Sequence, residues 1–205
     1  MMKRIKDIRK SIIKRNSIQI TLIIVLILEI GVITLNSTQT KGSKTEIIKG
    51  SLAYDMSTPS KAIGAVDNVF TAKIGRILET KYDANEMPIT IYEIEVLENI
   101  KGKLPTNIKI QLHQMGGIRK DNKNYIFFEN TNLLEKDEEY LILAFVPFEE
   151  GNLVINNKYT YIKLLSNSQT KNVTNNIIDD YKEAYKKEEI PSDKRNSFKS
   201  KYEIT

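Results

Sequence analysis

Short runs of β-type residues, separated by turn-forming clusters, dominate the middle of the chain. About seven such runs lie between Val66 and Leu165, at the spacing typical of a barrel or sandwich. In residues 90–97, three apolar side chains alternate with two glutamates, which places the apolar set on one face of a pleated strand. The pattern predicts a mainly β domain over residues 63–190.

Residues 107–113 repeat this alternation and end at His113, which is predicted to lie on the outer face. The positions predicted to point inward are Ile108, Ile110 and Leu112. Residues 101–105 contain a glycine and a proline, which end a strand and permit a turn. We therefore expect residues 90–113 to form a hairpin.

Three further predictions concern individual strands. Gly75 shifts the alternation of its run by one residue, which is typical of a bulge or a barrel bend. Residues 140–146 are continuously apolar up to Pro147, so we expect a central strand that is buried on both faces. Residues 153–155 and 159–165 are predicted to form a final hairpin around two adjacent asparagines.

A helix is predicted after the sheet, because apolar residues recur at helical spacing while charged residues occupy the other face. The apolar positions are Val173, Ile177, Tyr181, Ala184 and Tyr185. Pro191 is expected to end this helix, and its narrow apolar stripe favours packing against the sheet. Residues 191–205 are predicted to form a flexible tail.

An uninterrupted apolar segment near the N-terminus predicts a membrane span. The segment begins at Ile18, ends at Leu35 and contains one formal charge, on Glu29. As an α-helix its 18 residues would measure about 27 Å, close to the ~30 Å hydrocarbon thickness of a bilayer. We expect an uncleaved transmembrane signal anchor in contact with the lipid bilayer, followed by a flexible stalk over residues 36–62.

The basic residues before this segment predict its orientation. Lys and Arg are denser before the apolar run than after it, and the positive-inside rule keeps such an end in the cytoplasm. Residues 1–17 are therefore expected to form a cytoplasmic arm, and the C-terminal domain is expected to be extracytoplasmic. The alternative is a cleaved signal peptide, although no A-x-A-like pattern follows the apolar run.

The location of the charges changes the meaning of the basic composition. The net charge is +5, but seven of the 31 basic residues and two of the 26 acidic residues lie in residues 1–35, so residues 36–205 carry 24 of each. A neutral body lacks the field that neutralises phosphates, which argues against a nucleic-acid partner. The chain has no cysteine and one histidine, which excludes thiolate metal sites and cysteine nucleophiles.

Several motifs occur in a suggestive order along the β region. They are residues 66–70 (VDNVF), residues 90–96 leading into 100–102 (IKG), the pair Gly116 and Gly117, and residues 133–143 (LLEKDEEYLIL). In this order the chain resembles bacterial extracytoplasmic netrin-like domains, relatives of the tissue-inhibitor-of-metalloproteinase OB barrel. The resemblance covers about half of the chain and implies a five-stranded Greek-key barrel with an added hairpin and a helix. In the inhibitor branch an N-terminal cysteine chelates the zinc of the target protease, and this chain has none.

Candidate catalytic and metal-binding groups are few, and each has a structural explanation. His113 has no second imidazole beside it, and the acidic residues of segment 135–139 lack the glycine and spacing of a calcium loop. Glu93 and Glu95 share the outer face of one strand, where solvation of that face explains them as well as acid–base chemistry does. No hydrolase, nucleotide-binding or zinc-protease motif occurs. We therefore expect no catalytic residue, metal or cofactor.

The loop over residues 114–124 is the candidate contact surface, because strand-connecting loops often carry recognition in OB-like barrels. The residues expected to contact a partner are Gly116, Gly117, Arg119, Lys120 and Lys123. The alternative is a mobile polar loop without a ligand.

Together these features predict a membrane-anchored, extracytoplasmic binding module of the bacterial cell membrane, without catalytic activity. Its expected partner, besides the bilayer, is a protein or a cell-envelope component. Two alternatives remain from the residues alone: a secreted, cleaved inhibitor or immunity-type factor, and a hydrolase with an unrecognised site.

Overall fold

The computed structural model describes residues 43–50, 52–165, 171–194 and 198–204. The chain divides into two compact units, residues 1–43 and residues 44–205, and the elements below belong to the second. The predicted cytoplasmic arm and membrane span lie outside the described residues. Neither helix in the described ranges combines the length and the apolar character that crossing a bilayer requires.

The described part of the second unit consists mainly of strands. The strands are β1 (Thr45–Ile48), β2 (Asn68–Tyr82), β3 (Pro88–Lys101), β4 (Lys109–Met115), β5 (Gly117–Ile118), β6 (Tyr125–Phe128), β7 (Glu139–Ala144), β8 (Leu153–Ile155) and β9 (Tyr161–Leu164). The helices are α1 (Pro59–Ala65) and α2 (Lys171–Tyr185). The mainly β composition and the C-terminal helix are confirmed.

The strands form two sheets. The larger has the order β8-β4-β3-β2-β7-β9, and the smaller has the order β1-β6-β5. Neighbours in the larger sheet are antiparallel except β4 and β8, which are parallel. Beyond the named strands, Phe145 and Val154 exchange two backbone hydrogen bonds of 2.9 and 2.8 Å. Through this bridge β8 also contacts the chain that continues β7.

The hairpin predicted over residues 90–113 is confirmed, because β3 pairs antiparallel with β4. The inward positions confirmed as buried are Tyr92, Ile94, Val96, Ile110 and Leu112. Ile108 was wrongly predicted to point inward: it is 52% exposed, since it precedes β4 and lies in the connection. In the same connection Gly102 has a φ of +95°, and the buried Asn68 side chain occupies the space that a Cβ there would need.

The predictions for Gly75 and for the central strand are also confirmed. The register between β2 and β3 shifts between Ile74 and Ile77, which is a bulge around Gly75. A Cβ at residue 75 would lie 2.8 Å from the backbone oxygen of Glu93, so this close approach favours glycine. In β7 every residue from Tyr140 to Ala144 is buried, because both faces of the strand are covered.

The final hairpin was predicted wrongly. β8 pairs with β4 and β9 pairs with β7, at opposite ends of the sheet order. The turn itself forms, since the backbone nitrogens of Tyr159 and Thr160 donate to the side-chain and backbone oxygens of Asn157 at 2.8 and 3.1 Å. Turn residues reverse the chain locally, but they do not decide which strand each arm pairs with.

Two short elements lie where the sequence predicted a flexible stalk. β1 pairs parallel with β6 along its whole length. α1 begins at Pro59, and the Thr58 hydroxyl caps it by accepting from the backbone nitrogen of Lys61 at 3.4 Å. β1 is largely exposed and α1 has seven residues, so neither produces a sustained apolar pattern. The boundary drawn at residue 63 falls inside α1.

Both helices pack against one face of the larger sheet, as predicted for the C-terminal helix. A core cluster joins Ile63 and Val66, at the end of α1, with Leu141 and Leu143 of β7. The α2 residues that pack against this cluster are Ile177, Ile178, Tyr181 and Ala184. The predicted positions Val173 and Tyr185 are exposed instead, and α2 ends at Tyr185, before Pro191.

The chain after α2 returns across α1 and is held there by partly buried charges. We call Asp67, Lys101, Glu188 and Lys194 the base network. Lys101 Nζ lies 2.5 Å from the Glu188 carboxylate and donates to the backbone oxygen of Ile63 at 2.9 Å. Lys194 Nζ lies 3.4 Å from Asp67 Oδ1 and donates to a backbone oxygen at 2.8 Å. The base network therefore ties residues 188–194 to the start of β2.

Residues 198–204 belong to the predicted tail and contact the sheet through backbone hydrogen bonds. The nitrogen of Lys201 donates to the oxygen of Gly151 at 3.0 Å, and the nitrogen of Ile204 donates to the oxygen of Lys103 at 3.0 Å. These contacts lie against the loops that precede β4 and β8.

Candidate functional site

The predicted contact loop is held close to the β2–β3 hairpin by its two glycines. We call residues 116–124 the tip loop. The Gly116 nitrogen donates to the Pro88 oxygen at 2.8 Å, and the Thr90 hydroxyl donates to the Gly116 oxygen at 2.7 Å. A Cβ at Gly117, whose φ is +141°, would lie 2.2 Å from Thr90 Oγ1. The positive φ and the close approach of the Thr90 side chain therefore favour glycine here.

Two of the three tip-loop cations are paired with carboxylates. Arg119 donates a hydrogen bond to Glu46 of β1. Lys120 donates to Glu86 at 2.8 Å, and its Nζ lies 5.5 Å from the centre of the Tyr82 ring. The hydrogen bond from Lys120 lowers the pKa of Glu86. These pairs bring the loop, the hairpin and β1 together, and they reduce the positive charge available to a ligand.

Lys123 lies in the turn that closes the tip loop. Asp121 Oδ1 accepts from the backbone nitrogens of Lys123 and Asn124 at 2.9 and 3.0 Å, and these hydrogen bonds lower the pKa of Asp121. Among the described residues, no carboxylate forms an ion pair with the exposed Lys123 ammonium. The predicted contact residues thus lie in a loop that is held by hydrogen bonds and ion pairs. Of its cations, Lys123 is the one without an ion pair among the described residues.

A groove lies elsewhere on the domain, and the sequence did not predict it. It has a volume of about 360 Å³ and is open to solvent. Its aromatic and aliphatic lining consists of Leu52, Ala53, Tyr54, Met56, Phe128, Phe145 and Tyr159. Met56 is buried in the core cluster that the two helices cover. The rings of Tyr54, Phe145 and Tyr159 are partly buried against the same cluster. The floor of the groove is therefore part of the folded core, and its walls are exposed loops.

Polar groups surround this apolar floor. Asn157 is tied into its own turn, because its amide nitrogen donates to Asn156 Oδ1 at 2.8 Å. Lys158 is exposed, with its Nζ 5.0 Å from the centre of the Tyr159 ring. Glu129 supplies a carboxylate on the same rim. The groove thus combines aromatic surface with a few polar groups, which is the usual composition of a binding site.

The sequence could not reveal the groove, because its rings come from four separate segments. Tyr54 precedes α1, Phe128 ends β6, Phe145 follows β7, and Tyr159 belongs to the turn after β8. Single aromatic residues at the ends of strands carry no spacing that distinguishes a groove from a core.

His113 lies half-buried on β4. Its Nε2 has no hydrogen-bond partner among the described residues. Burial, together with the nearby Lys201 ammonium, lowers the pKa of His113 to about 4. The imidazole is therefore neutral near pH 7. No cluster of three His, Asp or Glu side chains suited to a metal ion occurs within the described ranges.

Several of the acidic residues considered in the sequence form ion pairs. Lys163 Nζ lies 2.8 Å from Glu135 and 3.6 Å from Glu138. Glu93 accepts from Lys109 at 2.8 Å, and this hydrogen bond lowers the pKa of Glu93. A carboxylate that is held ionised beside a lysine is poorly suited to act as a general acid.

No protein-family model matches the chain, and no curated protein sequence matches it. The resemblance to netrin-like domains therefore depends on the sequence motifs alone.

Proposed function

We propose that this chain is a non-catalytic binding module, anchored in the cell membrane by residues 18–35, with its β domain on the extracytoplasmic side. Its partner in this proposal is a protein or a component of the cell envelope. The apolar segment behind a basic arm supports the anchor, and the charge-balanced body supports a partner other than nucleic acid.

The strand pairings support an OB-like barrel as the scaffold of this module. β2, β3, β4, β8 and β7 contact one another in that order, and β7 pairs again with β2. The Phe145–Val154 bridge supplies the contact between β8 and the continuation of β7. These pairings, with one parallel contact, support the five-stranded Greek-key barrel that the resemblance implies.

The aromatic groove is the observation that carries the binding function. Its volume of about 360 Å³ falls in the range of ligand-binding pockets. Exposed aromatic side chains bury a large area at a small cost in conformational entropy, so they are common anchors of interfaces. The tip loop is the second recognition surface in this proposal, with Lys123 as its available cation.

Site-specific photo-cross-linking of the full-length protein in intact cells tests the binding function. A photoreactive amino acid at position 158, on the groove rim, is expected to give a light-dependent adduct. The matched control is position 136, where Lys136 is also exposed but lies on the turn before β7. Ala53→Glu, which fills the groove with a charged side chain, should suppress the adduct at position 158.

Equal adducts at positions 158 and 136, or an adduct that persists in the Ala53→Glu variant, would contradict the groove as the binding site. If N-terminal sequencing shows that the mature protein begins near residue 38, the result would favour the secreted alternative over the anchored module.

A further inference from the structure

Phe148 is the most exposed large apolar side chain among the described residues, at 62%. It lies in the turn between β7 and β8, directly after Pro147 and before Glu149 and Glu150. All three residues from Phe148 to Glu150 are exposed. We call residues 147–151 the knob. An isolated exposed apolar residue is ordinary, but the knob combines an aromatic ring with two adjacent carboxylates.

The knob is held in place by its own backbone and by the C-terminal segment. The Gly151 nitrogen donates to the Phe148 oxygen at 3.1 Å and closes the turn. Gly151 is buried with a φ of +70°, and a Cβ there would lie 2.5 Å from the Lys201 nitrogen. The Lys201 nitrogen in turn donates to the Gly151 oxygen. Phe148 is therefore presented on a fixed turn, which reduces the entropy lost on binding.

The groove is complementary to the knob in shape and in charge. About 360 Å³ of aromatic-lined space can accept a phenyl ring, and aromatic pairs add attraction beyond the buried area. Lys158 lies on the groove rim, and Lys49 is exposed beside Gly50 of the lining. Two carboxylates that follow the ring in the knob would meet these two ammonium groups. Among the described residues, the acidic groups in or next to the lining are Glu129 and Asp55, and Asp55 is already paired with Lys61 at 2.8 Å.

We propose that the groove of one copy binds the knob of a second copy of this chain. The Phe148 ring enters the groove, and Glu149 and Glu150 face Lys158 and Lys49. This inference rests on the proposed binding function, and it names the partner. The contact is small, in the range of weak and transient interfaces. Anchoring in one membrane raises the effective concentration of the copies, so that a small contact suffices for association.

Cysteine cross-linking in membranes tests the proposal, and the chain is suited to it because it has no native cysteine. Two full-length variants with different affinity tags are co-expressed, Glu149→Cys as the knob donor and Lys158→Cys as the groove acceptor. Phe148 remains in both. Oxidation is expected to give a disulfide-linked heterodimer. Lys136→Cys replaces the acceptor cysteine in the matched control and is expected to give none.

Second substitutions distinguish the knob from the groove. Phe148→Ser is expected to reduce the heterodimer yield about tenfold when it is in the donor chain, the effect of losing an interface anchor, and to have no effect in the acceptor chain. Ala53→Glu is expected to reduce the heterodimer yield when it is in the acceptor chain and to have no effect in the donor chain. Both positions are exposed, so circular dichroism of each variant should match that of the parent chain.

A heterodimer that forms equally with Lys136→Cys, or that is insensitive to Phe148→Ser in the donor, overturns the proposal. So does an adduct of Lys158→Cys with a different protein, which would support the binding module but with another partner. Labelling of Lys158→Cys from outside intact cells reports the membrane orientation independently of the cross-link. Failure of that labelling would overturn the proposed function, and absent cross-linking with intact labelling would overturn the self-association alone.

Discussion

Lysine–carboxylate pairs occur both in the base network and in the tip loop, but their surroundings differ. The side chains of Lys194 and Asp67 are 12% and 3% exposed, whereas those of Lys120 and Glu86 are 55% and 67% exposed. In the interior a charge that loses its partner is costly, while exposed pairs are screened by water and salt. We therefore expect the ion pairs of the base network to stabilise the folded domain. The tip-loop pairs are expected to orient the loop with little effect on stability.

The largest effect is expected from Asp67→Ala. This substitution removes the carboxylate that lies 3.4 Å from the Lys194 ammonium, and with it the oxygen that accepts from the Val146 nitrogen at 2.7 Å. We expect the free energy of unfolding to fall by about 3–5 kcal/mol, the usual cost of breaking a buried pair from one side. Urea denaturation of the full-length protein in detergent, followed by circular dichroism, measures it.

Asp55→Ala is the matched control, because Asp55 forms an exposed pair with Lys61 at 2.8 Å. Its denaturation midpoint should stay near that of the parent. Equal destabilisation by the two substitutions would remove the distinction between buried and exposed pairs.

A smaller effect is expected from Gly117→Ala in the tip loop. The new Cβ would lie 2.2 Å from Thr90 Oγ1 at a φ of +141°, so either the Thr90 side chain, which donates to the Gly116 oxygen, or the loop must shift. Overpacking of this kind costs about 1–3 kcal/mol. Gly50→Ala is the control, since its Cβ would meet Phe128 at an ordinary 3.7 Å. Equal denaturation midpoints for Gly117→Ala and Gly50→Ala would show that the contact between Gly117 and Thr90 does not constrain the loop.

An acid-sensitive contribution to stability is expected from the half-buried His113. Its folded pKa, about 4, lies below the ordinary value of 6.5, so between these values the unfolded chain binds the proton and the folded chain does not. Stability contributed by His113 is therefore present above pH 6.5 and is lost as the pH falls towards 4. We expect a loss of about 1–2 kcal/mol after allowance for solvent screening.

Urea denaturation at a series of pH values measures this contribution. In His113→Gln the same series should be flatter between pH 6.5 and pH 4, because glutamine does not titrate. An unchanged slope in that variant would assign the acid sensitivity to other groups.

The smallest effect is expected from Lys120→Ala. The pair with Glu86 is exposed, so the denaturation midpoint should stay within experimental error. A clear loss of stability would mean that the tip loop shares the structural role of the base network.

Sequence patterns predicted the parts of the fold that depend on local periodicity. Tyr92, Ile94 and Val96 alternate along β3, and this pattern alone places them in the core. Pairing between strands that are distant in the chain was harder to predict from the sequence. The Asn156–Asn157 turn was recognisable, but β8 pairs with β4, and no local signal encodes that choice.

The candidate site shows the same limit. The tip-loop glycines were found because adjacent glycines mark a special backbone, and the structure explains the requirement at Gly117. The groove was missed because Tyr54 and Tyr159 are more than 100 positions apart in the chain and acquire a common role only after folding. The base network was missed for the same reason, since Asp67 and Lys194 look like ordinary surface charges in the sequence.

Labelling of single cysteines in intact cells tests the proposed membrane anchor and the proposed orientation of the β domain. Lys158→Cys lies in the β domain and Lys10→Cys in the basic arm, and the chain has no other cysteine. We expect a membrane-impermeant maleimide to label Lys158→Cys in intact cells, and Lys10→Cys only after lysis. Labelling of Lys10→Cys alone in intact cells, or recovery of the uncleaved protein in the soluble fraction, would contradict it.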